Sequence, residues 1–304
     1  MNRLYKEYCK IELERNPRKV KPIPAINRCS AEITDTLFSE TFSNEPRAEC
    51  WLRDNSRNKN PNRFDVCDVI ARIGNLAVMK WARLHGFPWN ARTCQAAAEN
   101  GHLEMLQWLR ANGCRWNEWT CEYAAQNGHL EILKWARKNG CPWGAETCAQ
   151  AALGGHLEIL KWVRENGCPW DERTCERAAA RGHLEILKYA RELGCPWNAA
   201  TSCSAANFGH LEVLKWAREN GCPWIELTCA LAAHGGHLEV LKWARENGCP
   251  WNERTCARAA HGGHLEVLKW ARENGCPWNT LTCRYAAEQG HLEILKWARG
   301  NGCP

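Results

Sequence analysis

The chain has 304 residues, enough for two ordinary domains, yet Trp 18 and Cys 20 far exceed common usage while Tyr 5, Phe 5 and Met 3 are scarce, so one unit is being repeated. Lys+Arg 40 against Asp+Glu 34 leaves a formal net charge of +6, too small to announce nucleic acid or a membrane as partner. No apolar run nears the roughly 18 to 20 residues that span a bilayer, and the charged N-terminus lacks a signal-peptide stretch. The sequence therefore predicts a soluble, intracellular, cytoplasmic chain, the nucleus left open, whose cysteines are thiols rather than a disulfide framework.

In chain order, residues 1–29 are basic, polar and proline-bearing and read as a polar N-terminal tail. Residues 30–66 read as a degenerate N-terminal capping repeat. Cys50-Trp51-Leu52-Arg53-Asp54-Asn55 echoes Trp108-Leu109-Arg110-Ala111-Asn112, and Ser43 ahead of Asn44-Glu45-Pro46 marks a helix start. From there a strict period begins. Trp89, Trp116, Trp143, Trp170, Trp197, Trp224, Trp251 and Trp278 are spaced by 27 residues, as are Cys114, Cys141, Cys168, Cys195, Cys222, Cys249, Cys276 and Cys303. A second column runs Cys67, Cys94, Cys121, Cys148, Cys175, Ser202, Cys229, Cys256 and Cys283, giving nine units over 67–304 with the last incomplete.

One unit, from Thr255 to Asn279, reads as two helices. Thr255 stands as N-cap of a short first helix, and Thr recurs there from Thr93 to Thr282. Gly263 punctuates the turn. The second helix carries Glu266 early and Arg272 late, which suits the helix dipole, and stops at Asn274-Gly275 with Pro277 beyond. Leu265, Val267, Leu268, Trp270 and Ala271 supply its apolar face. The last unit keeps this pattern at Leu292, Ile294, Leu295 and Trp297, with no following unit to bury it, so self-association through an uncapped C-terminal repeat is expected.

The motif Thr-x-x-x-Ala-Ala-x-x-Gly-His-Leu-Glu-Val-Leu-Lys, followed by Gly-x-x-x-Asn, resembles the ankyrin repeat, whose usual unit is about 33 residues. Eight copies share Gly-His-Leu-Glu. Two departures mark a short-finger variant: the family's Thr-Pro-Leu-His start is Thr-Cys, and the hairpin finger shrinks to about four residues around Asn252-Glu253-Arg254. The resemblance implies an all-α solenoid of stacked helix-turn-helix ankyrin-like repeats over 67–304. It also implies a non-catalytic scaffold whose protein partners meet the inner face of the first helices.

Other chemistries fit the residues less well. Cys249, Cys256 and His264 recur as a set, and thiolate plus imidazole suits zinc, but the spacing is not that of a zinc site, and the period would demand eight such sites. The cysteines read as buried small residues, and no metal or cofactor is expected. Each Gly-His histidine, from His102 to His291, reads as a packing or hydrogen-bonding post, because catalysis needs one constellation and not a ladder. Basic columns run from Lys80 to Lys296 and from Arg83 to Arg299, and such ladders suit phosphates in a nucleic-acid-binding solenoid. Interleaved Glu131, Glu158, Glu165, Glu219, Glu246 and Glu273 are expected to neutralise them, so nucleic acid is not expected as partner.

Fixed columns build the scaffold, so recognition belongs where the copies disagree. Two residues after the column cysteine stand Tyr123, Gln150, Arg177, Ser204, Leu231, Arg258 and Tyr285; three residues further stand Gln126, Leu153, His234, His261 and Glu288. Positions i and i+3 share a helix face, and these twelve are the candidate partner-binding residues. The linker also varies, at Glu118-Trp119, Ala145-Glu146, Glu172-Arg173, Glu226-Leu227 and Thr280-Leu281.

Overall fold

In a computed structural model of the chain, residues 63–304 are described, and they form eighteen helices and no strand. The expected tail over 1–29 and nearly all of the expected capping repeat over 30–66 lie outside the described residues. The helices come in pairs. The first members are α1 (Arg63–Ile73), α3 (Ala91–Glu99), α5 (Glu118–Gln126), α7 (Ala145–Gly154), α9 (Glu172–Ala180), α11 (Ala199–Asn207), α13 (Glu226–His234), α15 (Glu253–Gly262) and α17 (Thr280–Glu288). Their partners are α2 (Leu76–Leu84), α4 (Leu103–Ala111), α6 (Leu130–Lys138), α8 (Leu157–Glu165), α10 (Leu184–Glu192), α12 (Leu211–Glu219), α14 (Leu238–Glu246), α16 (Leu265–Glu273) and α18 (Leu292–Gly300). The result is the all-α solenoid that the repeat pattern implies.

The threonine columns do not cap the first helices. Asn252 adopts the extended cap conformation and accepts a bond from the Arg254 amide at 3.0 Å, while Thr255 is the third helical residue and fully buried. Asn90, Asp171, Asn198 and Asn279 cap in the same way. A short polar side chain ahead of the helix satisfies an orphan amide, leaving the threonine methyl free to face the core. Every first helix after α1 therefore starts three residues before its column position, and the short finger is absorbed into it.

Burial divides the unit cleanly. In α15 and α16, Cys256, Ala259, Ala260, Leu268 and Ala271 are completely buried, the alanine pair allowing α15 to approach α13 and α17 closely. The first helices stack directly on one another along the array. Second helices come comparably near only at α8 and α10, and less closely even there. Thiols close each unit on itself. The Cys276 amide donates to Ala271 O at 2.9 Å, and its Sγ lies 3.4 Å from Asn252 O as a weak donor, 24 residues back. Cys256 Sγ reaches Cys276 O at 3.9 Å. Cysteine is small enough for full burial and still offers a weak donor, which alanine does not. Burial and the facing Cys276 thiol together hold the Cys256 thiol protonated.

Units are joined by the histidines. Nε2–H of His102, His129, His156, His210, His237 and His291 donates to a carbonyl oxygen thirty residues earlier, at 2.9 to 3.2 Å, near the end of the preceding unit's first helix. His183 bonds to the Leu153 backbone in the same manner, and burial lowers its pKa. The histidines are thus hydrogen-bonding posts, as expected. The ring needs room, which explains Gly263: its φ is +83°, and a Cβ there would lie 2.7 Å from His291 Cε1. At the far end of the unit, Gly275 has the same φ of +83° but nothing within 4 Å.

The last unit is more exposed than the others. Leu292 is 62% exposed and Cys303 half-buried, whereas Leu265 is half-buried and Cys276 fully buried.

The two glycines separate backbone strain from the histidine contact. Gly263→Ala should lower stability by about 1 to 3 kcal/mol more than Gly275→Ala, because only the former also pushes a ring aside. Equal denaturant midpoints for the two variants would show that the His291 ring gives way freely.

Candidate partner-binding surface

Because each first helix starts at or before the linker residue, three positions per unit share one face: the second helical residue and those four and seven later. The twelve candidates fill the latter two positions. Tyr123 and Gln126 lie on α5, Gln150 and Leu153 on α7, Arg177 on α9, Ser204 on α11, Leu231 and His234 on α13, Arg258 and His261 on α15, and Tyr285 and Glu288 on α17. All are half-buried except Glu288, which is exposed. Sequence reasoning left Trp119, Glu146, Arg173, Leu227, Arg254 and Leu281 out of the candidate set, although they complete the face. They were assigned to a linker because threonine was read as the cap, and the i, i+4 spacing to the candidates was the available signal.

Several candidates come together. Tyr123 and Trp119 line a cleft of about 480 Å³ with Arg72, Arg92 and Glu99, and Trp119 is 45% exposed. One unit on, Glu146 is gripped by Arg173 at 2.9 Å and Arg177 at 2.5 Å, and accepts from Gln150 at 3.0 Å. His234 and His261 sit 5.2 Å apart, and His261 meets Tyr285 edge-on at 5.5 Å. Burial, then His261 and Arg258, depress the His234 pKa. Leu153 and Gln126 contribute through their carbonyls, which receive His183 and His156. Ser204 stands apart from these clusters, and Glu288 pairs with Arg284 of its own helix at 2.7 Å.

The opposite surface accounts for the aromatic and basic columns. The guanidiniums of Arg83, Arg110, Arg137, Arg164, Arg191, Arg218, Arg245 and Arg272 cover the indoles of Trp89 to Trp278, 3.9 to 4.3 Å from the ring centres. Arg110 and Arg137 also donate to the carbonyls of Cys114 and Cys141, at 2.5 and 2.7 Å. The indole of the next second helix packs edge-on, as in Trp89–Trp108 at 5.7 Å and Trp251–Trp270 at 5.9 Å. Lys134, Lys161, Lys188, Lys215, Lys242 and Lys269 pair with the glutamate three residues earlier at 2.7 to 2.9 Å.

The expected neutralisation by glutamates thus holds for these lysines and not for the arginines. Glu165, Glu219, Glu246 and Glu273 form no ion pair with them. A planar guanidinium gains more from the indole and a carbonyl than from a solvated carboxylate. The histidines turn to backbone carbonyls, and among the described residues no group of three or more His, Cys, Asp or Glu side chains is placed to hold a metal ion.

With this geometry in hand, comparison with known proteins is informative. A family model described as ankyrin repeats (many copies) matches residues 94–137, 227–272 and 256–299. These are ankyrin repeats. Residues 138–226 carry the same columns at the same spacing. Ankyrin repeats generally serve as protein–protein interaction modules. Among solved structures, the chain is similar to the human ASB11 ankyrin repeat domain, at 20% identity and a TM-score of 0.44, covering 52% of this chain and 84% of that one. The search of curated proteins found no match. No described helix is long and apolar enough to cross a membrane.

Glu122, one position before Tyr123 and buried, adds a pH dependence to this face. Burial first, then Glu146 and Glu118, raise its pKa from an ordinary 4.5 to about 7, although Arg177 and Arg173 oppose the shift. The folded state therefore holds a proton that the unfolded state has lost between these values, and stability should fall as pH rises from about 4.5 to about 7, then level off. Glu122→Gln should flatten that slope and stabilise the ankyrin array at pH 8, as read from urea midpoints across the range. An unchanged slope would mean that Glu122 ionises without penalty.

Proposed function

We propose that the chain is a non-catalytic, intracellular and cytoplasmic scaffold that binds protein partners on the face formed by its first helices. The observation that carries this reading is the three-position face itself, where residues of unlike chemistry stand in otherwise nearly identical units. Packing supports placing this face on the concave side. First helices stack closely while second helices stay further apart, so the array is compressed along the first-helix side. Aromatic and arginine side chains such as Trp119, Tyr123, Arg254, Arg258 and Tyr285 are of the type that dominates interface energy. The reading takes 67–304 as nine ankyrin-like repeats behind a capping repeat over 30–66.

Replacing Tyr123, Arg177, Leu231, Arg258 and Tyr285 together with Ala should abolish partner capture in an affinity pull-down and leave the array folded. Loss of the Arg177–Glu146 and Tyr285–His261 contacts lowers stability by about 1 kcal/mol each. Replacing Lys161, Lys188 and Lys215 on the opposite surface should spare capture. Retained capture by the five-fold variant, or capture lost only with the lysines, would reject the assignment of faces. Submicromolar RNA or DNA binding at physiological salt would reject the protein-partner reading itself.

The same proposal includes self-association through α18, where Leu292 is 62% exposed. Sedimentation should show concentration-dependent association that Leu292→Glu removes. A wild-type chain that stays monomeric at high concentration would refute this part.

A further inference from the structure

Along the first-helix face, most charges are already satisfied within the protein. Glu146 holds both Arg173 and Arg177, Asp171 also pairs with Arg173 at 2.6 Å, and Glu288 is taken by Arg284. Arg254 and Arg258 differ. They lie four residues apart on α15, the first exposed and the second half-buried, and neither guanidinium enters an ion pair or side-chain hydrogen bond. The nearest acidic residues along the chain, Glu226 and Glu253, head α13 and α15 without pairing to them.

Both neighbouring units are apolar at the corresponding positions. On one side stand Leu227, 37% exposed, and Leu231; on the other stand Leu281 and Tyr285, the latter edge-on to His261. Three consecutive units thus present apolar, basic, apolar in a line. Packed helices lie about 8 to 10 Å apart. A polyproline II strand advances about 3.1 Å per residue with three residues per turn, so its residues i, i+3 and i+6 face one way at about 9 Å intervals. A β-strand alternates sides and would turn its i+3 residue away from the surface.

We propose that α13, α15 and α17 form a docking site for a partner segment in polyproline II conformation. That segment carries an Asp or Glu opposite Arg254 and Arg258, with an apolar side chain three residues to either side. The inference rests on the first-helix face being the binding face and adds the chemistry and register of what it binds. The carboxylate gains two charge-assisted donors in a partly desolvated place, and a preformed polyproline II segment loses little entropy on docking. The apolar side chains cover Leu227 and Leu231 at one end and Leu281 and Tyr285 at the other.

The test uses the full chain and a fluorescein-labelled peptide of sequence Pro-Pro-Leu-Pro-Pro-Glu-Pro-Pro-Leu-Pro-Pro, read by fluorescence anisotropy. Replacing the peptide's Glu by Gln should weaken binding about tenfold or more, and moving Glu one residue toward either Leu should weaken it comparably. A chain carrying Arg254→Glu and Arg258→Glu, with unchanged helical signal and melting, should lose the Glu peptide and prefer the one with Lys in its place. Equal affinity for Glu and Gln peptides, indifference to the shifted Glu, no binding at millimolar peptide, or displacement of the peptide by polyuridylic acid would each overturn the proposal. Its failure is separable from failure of the scaffold reading. If the five-fold alanine variant loses partner capture while the double arginine variant keeps it, the face is right and this site is wrong; if neither loses it, both are wrong.

Discussion

One imidazole N–H donated to a carbonyl thirty residues earlier sets the geometry on which the rest of the array depends. The bond joins the start of one second helix to the end of the preceding first helix, so it fixes both the separation and the angle between units. Its ring occupies the space where any side chain larger than hydrogen would stand at Gly263 and its counterparts, so glycine and histidine form one device shared between neighbours. Burial keeps rings such as His183 and His237 neutral, and a neutral ring retains one donor for the carbonyl without bringing a charge into the joint. Close first-helix stacking follows, and with it the surface on which unlike residues are displayed.

A second joint runs along the other side, where each Arg–Trp stack ends against the indole of the next unit. The two joints divide the labour of the sequence. Residues that hold unit to unit recur almost unchanged, and the three face positions carry few such duties, so they vary at small cost. Glu146, Arg173 and Arg177 are an exception: they bridge neighbouring first helices and also form part of the exposed face, so binding and cohesion are coupled there. Glu122, held protonated near neutrality beside them, ties that coupling to pH.

Much of this was legible in the sequence because repetition separates the fixed from the free. The period, the helix pairs, the glycine stops and the role of the histidines all follow from columns that admit one economical explanation. The helix start did not. Threonine and asparagine are both good caps, and their spacing alone does not say which stands outside the helix; the buried threonine methyl decides it. That ambiguity moved Trp119, Leu227 and Arg254 from a binding face into a linker. The arginine column was misread for a related reason. Charge counting pairs Arg with Glu, while the competing partner, an indole six residues later, is visible only when the helix end and the following turn are folded together.

The joint between α8 and α10 departs from the others. Tyr189 stands where the other second helices from α2 to α18 carry Trp, and no ring pair with Trp170 matches the seven indole pairs elsewhere. In a quasi-one-dimensional protein, cohesion is a sum over nearest neighbours, so a chain is only as strong as its poorest coupling. Under a pulling force or during thermal fraying, rupture concentrates at such a link, and the solenoid behaves as two rods hinged between the cleft at Trp119 and the arginines of α15. A long ligand bridging the two would act as a splint, transferring load across the one boundary that the protein itself secures least.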